Sequence, residues 1–259
     1  MIDTHCHLDM MENGENTDDI ITRAFAAGVT CTVTIGIDLA SSRKAVELAN
    51  RFDHVYASVG IHPHHAEELN HQAEKELKQL ADDGRVVAFG EIGIDTVKDY
   101  APLPFQQKAF TRQLQMAREL NLPVIIHNRE AHEEIYRVLT KYGPFPNGGV
   151  IHCFSGDGET ALKFIDLGFF ISIPGVVTFN KADMLHEAVR VTPLDFMLVE
   201  TDAPFLAPVP YRGKANEPLF TLYTAQKIAE LKGVDLNEVA RVTTANARRL
   251  FNIPEDGAQ

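Results

Sequence analysis

The sequence predicts an α/β fold: a single (β/α)8 TIM barrel over residues 1–259, with a metal site at the C-terminal ends of its strands. Three observations carry this. Short apolar runs rich in Val, Ile and Phe alternate with longer amphipathic stretches along the chain, as repeated βα units require. Eight such units in 259 residues match the size of a barrel. Finally, the polar residues able to do chemistry follow strands one, three, four, five, six and eight, whereas an open doubly wound sheet would gather them at one switch point.

The first strand, Ile2 to His7, carries "IDTHCH", and period-two alternation puts Asp3, His5 and His7 on one face and Thr4 and Cys6 on the other. The β-branched run Thr30 to Ile37 is the second strand and Val55 to Ile61 the third. Val86 to Glu91, Val124 to His127 and Val150 to Cys153 are each apolar until their last polar residue. Phe169 to Ile173 and Phe196 to Glu200 complete the eight. Helical patterns fill the gaps, among them "SSRKAVELANRF" and "PFQQKAFTRQLQMARELN", often closed by Gly, and two further helices end the chain. No linker, repeat or low-complexity tract divides it.

Composition narrows the class. With 45% hydrophobic and 23% charged residues the chain is that of a globular protein with a sizeable core. No basic-then-apolar leader opens it and no run approaches the roughly 18 apolar residues of a membrane span, so a cytoplasmic protein is expected. Cys6, Cys31 and Cys153 form no Cys-x-x-Cys pair and read as buried thiols in a reducing compartment. A formal charge of -12 argues against an extended phosphate-binding surface. It leaves room for a phosphate substrate in a pocket whose positive charge comes from ions.

At the expected strand ends stand His5, His7, Glu91, His127, His152 and Asp202. In a barrel these four histidines and two carboxylates converge on one mouth, a ligand set for two metal ions. Glu91 and Asp202 unpaired among apolar strands would cost several kcal/mol, so a cation is expected beside them. Glu200, two residues before Asp202, could orient a histidine.

The segments "DTHCHLD", "GEIGID", "PVIIHNREA", "HCFSGD", "ETDAP" and "YRGKANEP" resemble, in order from Ile2 to about Phe251, the signature segments of the TatD family of metal-dependent deoxyribonucleases. The resemblance implies a metal-dependent hydrolase that removes nucleotides from 3′ ends of single-stranded DNA, with RNA as a further substrate. It implies His5 and His7 as ligands of one metal, completed by Asp202, Glu91 as a bridging carboxylate, and His127 and His152 as ligands of the second. Two cations about 3.5 to 4 Å apart would share a hydroxide that attacks phosphorus, with Asp202 as general base. Mg, Mn, Zn or Co would serve as the divalent ions.

In "GIHPHHAEE", which resembles a family segment, His62 reads as a phosphate contact and His64 as a weaker one. Arg129, Arg212 and Lys214 are further phosphate contacts by position and charge. Ser155 and Gly156 open a helix N-terminus that could face an anion, or Ser155 or Asp157 is an ordinary cap. Phe179 and Tyr211 could stack on a base. Cys6 and Cys153 alternate away from the ligands into packed layers. After "GEIGID" the family commonly continues with an aromatic residue, but Thr96, Val97 and Lys98 stand here and Tyr100 comes only later. Two other functions use the same residues: attack on a carbonyl carbon, such as a D-aminoacyl-tRNA ester, and non-catalytic metal binding in a partner protein. No membrane contact and no obligate protein partner are expected.

Overall fold

In the computed structural model, which describes residues 1–11 and 16–255, eight parallel strands form one sheet in chain order. They are β1 (Ile2–Cys6), β2 (Cys31–Ile35), β3 (Val55–Val59), β4 (Val86–Asp95), β5 (Val124–Arg129), β6 (Gly149–Ile151), β7 (Phe169–Ile173) and β8 (Met197–Val199). The sheet closes just beyond β8. Cys6 bridges to Ala203, the Asp202 N–H donates to the His5 carbonyl at 2.9 Å, and the His7 N–H donates to the Ala203 carbonyl at 2.7 Å. Closure is thus made by the residues that carry the candidate ligands.

Helices α1 (Thr17–Ala26), α2 (Leu39–Arg51), α3 (His71–Leu80), α4 (Leu103–Glu119), α5 (His132–Tyr142), α6 (Gly158–Asp166), α7 (Asp183–Val191), α8 (Thr221–Lys232) and α9 (Leu236–Phe251) cover the outside. The starts of α1, α2, α3, α6 and α9 are fixed by side chains that accept the orphan N–H groups of a first turn. Asp38 caps α2 in a reciprocal box with Ser41, and Asn70, Asp157 and Asp235 cap α3, α6 and α9. Helix α8 stops at Gly233, whose φ of 67° a side chain would resist. Among the described residues no helix is long and apolar enough to cross a membrane.

Two apolar layers follow from the alternation of the strands. One packs helices on the sheet, with Leu48, Leu77, Phe110, Ile135, Phe164 and Ile228 buried in it. The other fills the barrel with Val33, Ile125, Val150 and Leu198, and α9 reaches it with Leu250 and Phe251. The barrel is therefore a packed core, and the candidate metal-ligating residues gather at its upper rim.

Three details depart from the expected strands. Strand β4 continues four residues past Glu91 to Asp95. Gly93 allows this, since its φ is 152° and a Cβ there would lie 1.9 Å from the His127 carbonyl oxygen of β5. Strands β2 and β3 stop two residues short of the expected Ile37 and Ile61, β5 runs on to Arg129, and β6 and β8 end early, so His152, Glu200 and Asp202 stand on the turns that follow. Strict alternation also fails in β1. Ile2 belongs to the inner layer and Thr4 Oγ1 lies 3.2 Å from Ser172 Oγ of β7 across the barrel, yet His5 also reaches the mouth, because pairing with β2 shifts register between Asp3 and Cys6. Asp3 does not join His5 and His7: its carboxylate accepts the Thr201 N–H at 2.9 Å and the Thr201 hydroxyl at 2.6 Å, tying β1 to the segment after β8.

Candidate metal centre

The rim brings His5, His7, His62, Glu91, His127, His152 and Asp202 together around one carboxylate. The two oxygens of Glu91 face different partners. Oε2 lies 3.3 Å from His5 Nε2, while Oε1 lies 2.6 Å from His127 Nδ1, 2.9 Å from His152 Nε2 and 3.5 Å from His62 Nε2. Beside the Oε2 side, Asp202 Oδ1 is 3.5 Å from His7 Nε2 and 3.8 Å from His5 Nε2. Asp202 is held there in a left-handed conformation with φ of 58°, a backbone state that functional turns often hold under strain.

Buried carboxylates set the far side of two of these rings. Asp95 Oδ2 accepts from His127 Nε2 at 3.2 Å and from His64 Nε2 at 2.8 Å, and its Oδ1 accepts the N–H groups of Val97 and Lys98. Glu200 Oε1 accepts the Cys153 N–H at 2.8 Å and lies 3.3 Å from His152 Nδ1. Each carboxylate sits behind a ring whose opposite nitrogen faces Glu91, the arrangement that fixes which nitrogen keeps its proton.

His62 is oriented differently. Its Nδ1 accepts the His64 N–H at 3.1 Å, so the neutral ring carries its proton on Nε2, the atom 3.1 Å from His127 Nδ1. Burial, aided by His127 and His64 and opposed by Glu91, lowers its pKa to about 3. It is a neutral hydrogen-bond donor aimed at the cluster, with no lone pair on that side for a metal.

Electrostatics test whether cations fit. Burial pushes the Glu91 carboxyl up, but His152, His62 and the hydrogen bonds of His127 and His152 outweigh it and hold it well below the usual carboxylate range. Asp202 is likewise pushed up by burial and held down by His7, His152 and His5. In return His152 is raised well above an ordinary imidazole and His127 and His7 are raised, each against its own burial, by the carboxylates they face. Without metal, imidazolium protons thus supply the positive charge that the carboxylates demand. His5 is the exception: burial and His152 lower it, and neither of its buried ring nitrogens finds a hydrogen bond. A buried imidazole with both nitrogens unsatisfied calls for a partner, and a divalent ion is one. Ligand atoms on a tetrahedron with ~2.1 Å bonds stand about 3.4 Å apart, close to the 3.3 to 3.8 Å separations of His5, His7, Asp202 and Glu91 Oε2. The residues fit the group.

The family model for TatD related DNase matches residues 2–252. The chain belongs to the TatD family. A Bacillus subtilis relative described as the uncharacterized metal-dependent hydrolase YabD is 40% identical over 98% of this chain and 99% of its own length. The 3′-5′ ssDNA/RNA exonuclease TatD of Erwinia tasmaniensis is 36% identical over 98% of this chain and 100% of its own. The crystal structure of YJJV, a TatD homologue of Escherichia coli, superimposes with a TM-score of 0.93 at 31% identity, covering 98% of both chains. This TatD-family protein is therefore a metal-dependent hydrolase on a (β/α)8 barrel.

Above the cluster opens a cavity of about 640 Å³. His64 and Arg129 line it with Lys98 and Ser155, whereas Arg212 and Lys214 do not: Arg212 lies 4.5 Å over the Phe179 ring and Lys214 5.8 Å from that of Tyr211. Phe179 and Tyr211 are engaged in turn, Tyr211 stacking on Phe220 with ring centroids 4.2 Å apart. Asp157, not Ser155, caps α6. Of the cysteines, Cys6 and Cys31 are buried, but Cys153 lines the cavity, because a φ of 45° breaks the alternation after β6. The sequence reading missed Phe205 and Asn128 as cavity residues. Phe205 was findable from its place three residues after Asp202, and Asn128 from its place beside His127.

Proposed function

We propose that this TatD-family hydrolase is a two-metal phosphodiesterase, a 3′-5′ exonuclease on single-stranded DNA that also takes RNA, acting in the cytoplasm as one barrel domain. The observation that carries the reading is the split of Glu91, one oxygen toward His5 and the other toward His127 and His152. The split supports Glu91 as the carboxylate that would bridge a first site of His5, His7 and Asp202 and a second of His127 and His152. The activity named for the Erwinia relative supports the substrate class. Two divalent ions there would lower the pKa of water and neutralise charge on the phosphoryl oxygens.

The chain's own residues do the rest. Asp202, kept ionised by His7 and open to the cavity, accepts the proton of the attacking water at its free oxygen. The His62 Nε2–H donates toward the oxygens of the reacting phosphate, as the tautomer set by the His64 N–H requires. Arg129 and Lys98 receive the neighbouring phosphates, and His64, held by Asp95, packs beside them. Arg212 and Lys214 would meet only a strand that runs beyond the cavity. Release of nucleotides from 3′-labelled and 5′-labelled single-stranded DNA, with Mg, Mn, Zn or Co added back to stripped protein and Glu91→Ala alongside, tests this. Metal-dependent release that starts at the 3′ end and disappears in the variant is expected. No release with any metal would refute the reading.

A further inference from the structure

Two aromatic rings stand exposed at the cavity, one against His64 and one against His7 of the candidate cluster. Tyr100, in the loop after β4, is 65% exposed and meets the His64 ring edge-on at 4.7 Å. Phe205, in the loop after β8, is 49% exposed and meets His7 edge-on at 6.0 Å. Both line the cavity. Rings of this size are normally buried, and such exposure in a cleft marks a surface kept for a ligand.

Neither ring rides on a loose loop. Gln106, itself buried, donates through Nε2 to the carbonyls of Ala101 at 2.8 Å and Asp95 at 3.1 Å, while Asp95 accepts the N–H groups of Val97 and Lys98. Asn216, also buried, donates to the carbonyls of Phe205 at 2.6 Å and Thr201 at 2.7 Å. Each loop is thus pinned from beneath to the strand end that carries a candidate ligand.

We infer that Tyr100 and Phe205 are base platforms, and that the protein grips the last nucleotides of an unpaired 3′ end by stacking on their bases. The inference rests on the phosphodiesterase reading of the site and adds what the metals cannot supply: a requirement for exposed bases. Stacking tolerates every base, so the grip selects unpaired strands rather than a sequence.

The test is binding of the metal-loaded protein to a short, 5′-labelled, phosphorothioate-linked oligothymidylate, followed by fluorescence anisotropy. It is compared with the same backbone lacking the last two bases. Wild type is expected to bind the abasic strand about a hundredfold more weakly, about tenfold for each of the two base–aromatic stacks lost. Tyr100→Ala and Phe205→Ala should each lose much of that preference, and Tyr100→Phe should keep it. Equal binding of the two strands by wild type, no binding of either, or an undiminished preference in both alanine variants would overturn the platforms. Hydrolysis of methyl p-nitrophenyl phosphate, a base-free phosphodiester, by the same wild-type protein reports separately on the phosphodiesterase reading. Its cleavage without a base preference leaves the nuclease standing and removes the platforms; a base preference without its cleavage does the reverse.

Discussion

Asp95→Asn isolates the carboxylate that orients His127 and His64 beside the candidate metal centre. Asp95 accepts four hydrogen bonds, from His64, His127, Val97 and Lys98. An asparagine keeps one oxygen for the two backbone N–H groups and turns an NH2 toward the two imidazoles. His127 must then offer a lone pair at Nε2, which moves its proton to Nδ1, 2.6 Å from Glu91 Oε1, the atom that a metal ion would need free. Recovering the ligating tautomer forfeits a charge-assisted hydrogen bond of roughly 1.5 to 3 kcal/mol. At ~1.4 kcal/mol per tenfold, about 2 kcal/mol corresponds to about thirtyfold weaker binding at that site. Titration with Co²⁺, followed by calorimetry, reads it: two sites in wild type, one of them about thirtyfold weaker in the variant, the other unchanged. Glu200→Gln, acting on His152 through a single contact, should weaken binding by about tenfold. If the folded Asp95→Asn variant binds both ions with wild-type affinity, or loses both equally, the assignment of His127 to one site through Asp95 is wrong.

Chelation of the metals should lower the melting temperature, because the ions bind the folded state; at a hundred times Kd an ion adds ~2.7 kcal/mol, so melting curves should shift upward with free metal. Phe251→Ala, at the base of the inner layer, should cost about 3 to 5 kcal/mol in urea denaturation without altering metal stoichiometry. Asp38→Ala removes the α2 cap and should cost about 1 kcal/mol at neutral pH. Burial raises the Asp38 carboxyl, but the hydrogen bonds of Ser41 prevail and hold its folded pKa below the ordinary 3.8. The stability it contributes is therefore complete above that value and lost as pH falls through the folded pKa. The difference between variant and wild type should shrink below pH 3.8.

The barrel was legible because alternation of apolar runs survives in the sequence, and so was the position of each ligand candidate, because a polar residue ending such a run lies at the rim wherever the strand sits. Direction was not legible. Once the chain leaves a strand, side chains are aimed by local backbone states, and Glu130, Cys153, Asp202 and Leu206 all adopt positive φ. That is why Cys153 faces the cavity although alternation sends it away. Protonation was hidden as well: nothing in "GIHPHH" says that the His64 N–H occupies one nitrogen of His62 and so makes it a donor. Arg212 and Lys214 read as cleft residues because they are charged and near Asp202 in sequence. The distance between them and the metal cluster is decided by how the loop folds on Phe179 and Tyr211, a tertiary fact.

The charge of the chain fits a narrow mode of recognition. At -12, its surface would repel a polyanion, and among the described residues the lysine and arginine that line the cavity are Lys98 and Arg129, to which ions held at the candidate centre would add. A long duplex bound along its backbone needs many phosphate contacts; this rim supplies few. On the proposed function, one end of a strand entering the cavity with its terminal phosphates near the candidate ligands would meet positive charge only there and repulsion elsewhere. Such a field would favour release of the remaining strand after each cleavage as much as capture of its end. Affinity would then come from contacts that carry no charge, and the exposed rings proposed as base platforms are of that kind.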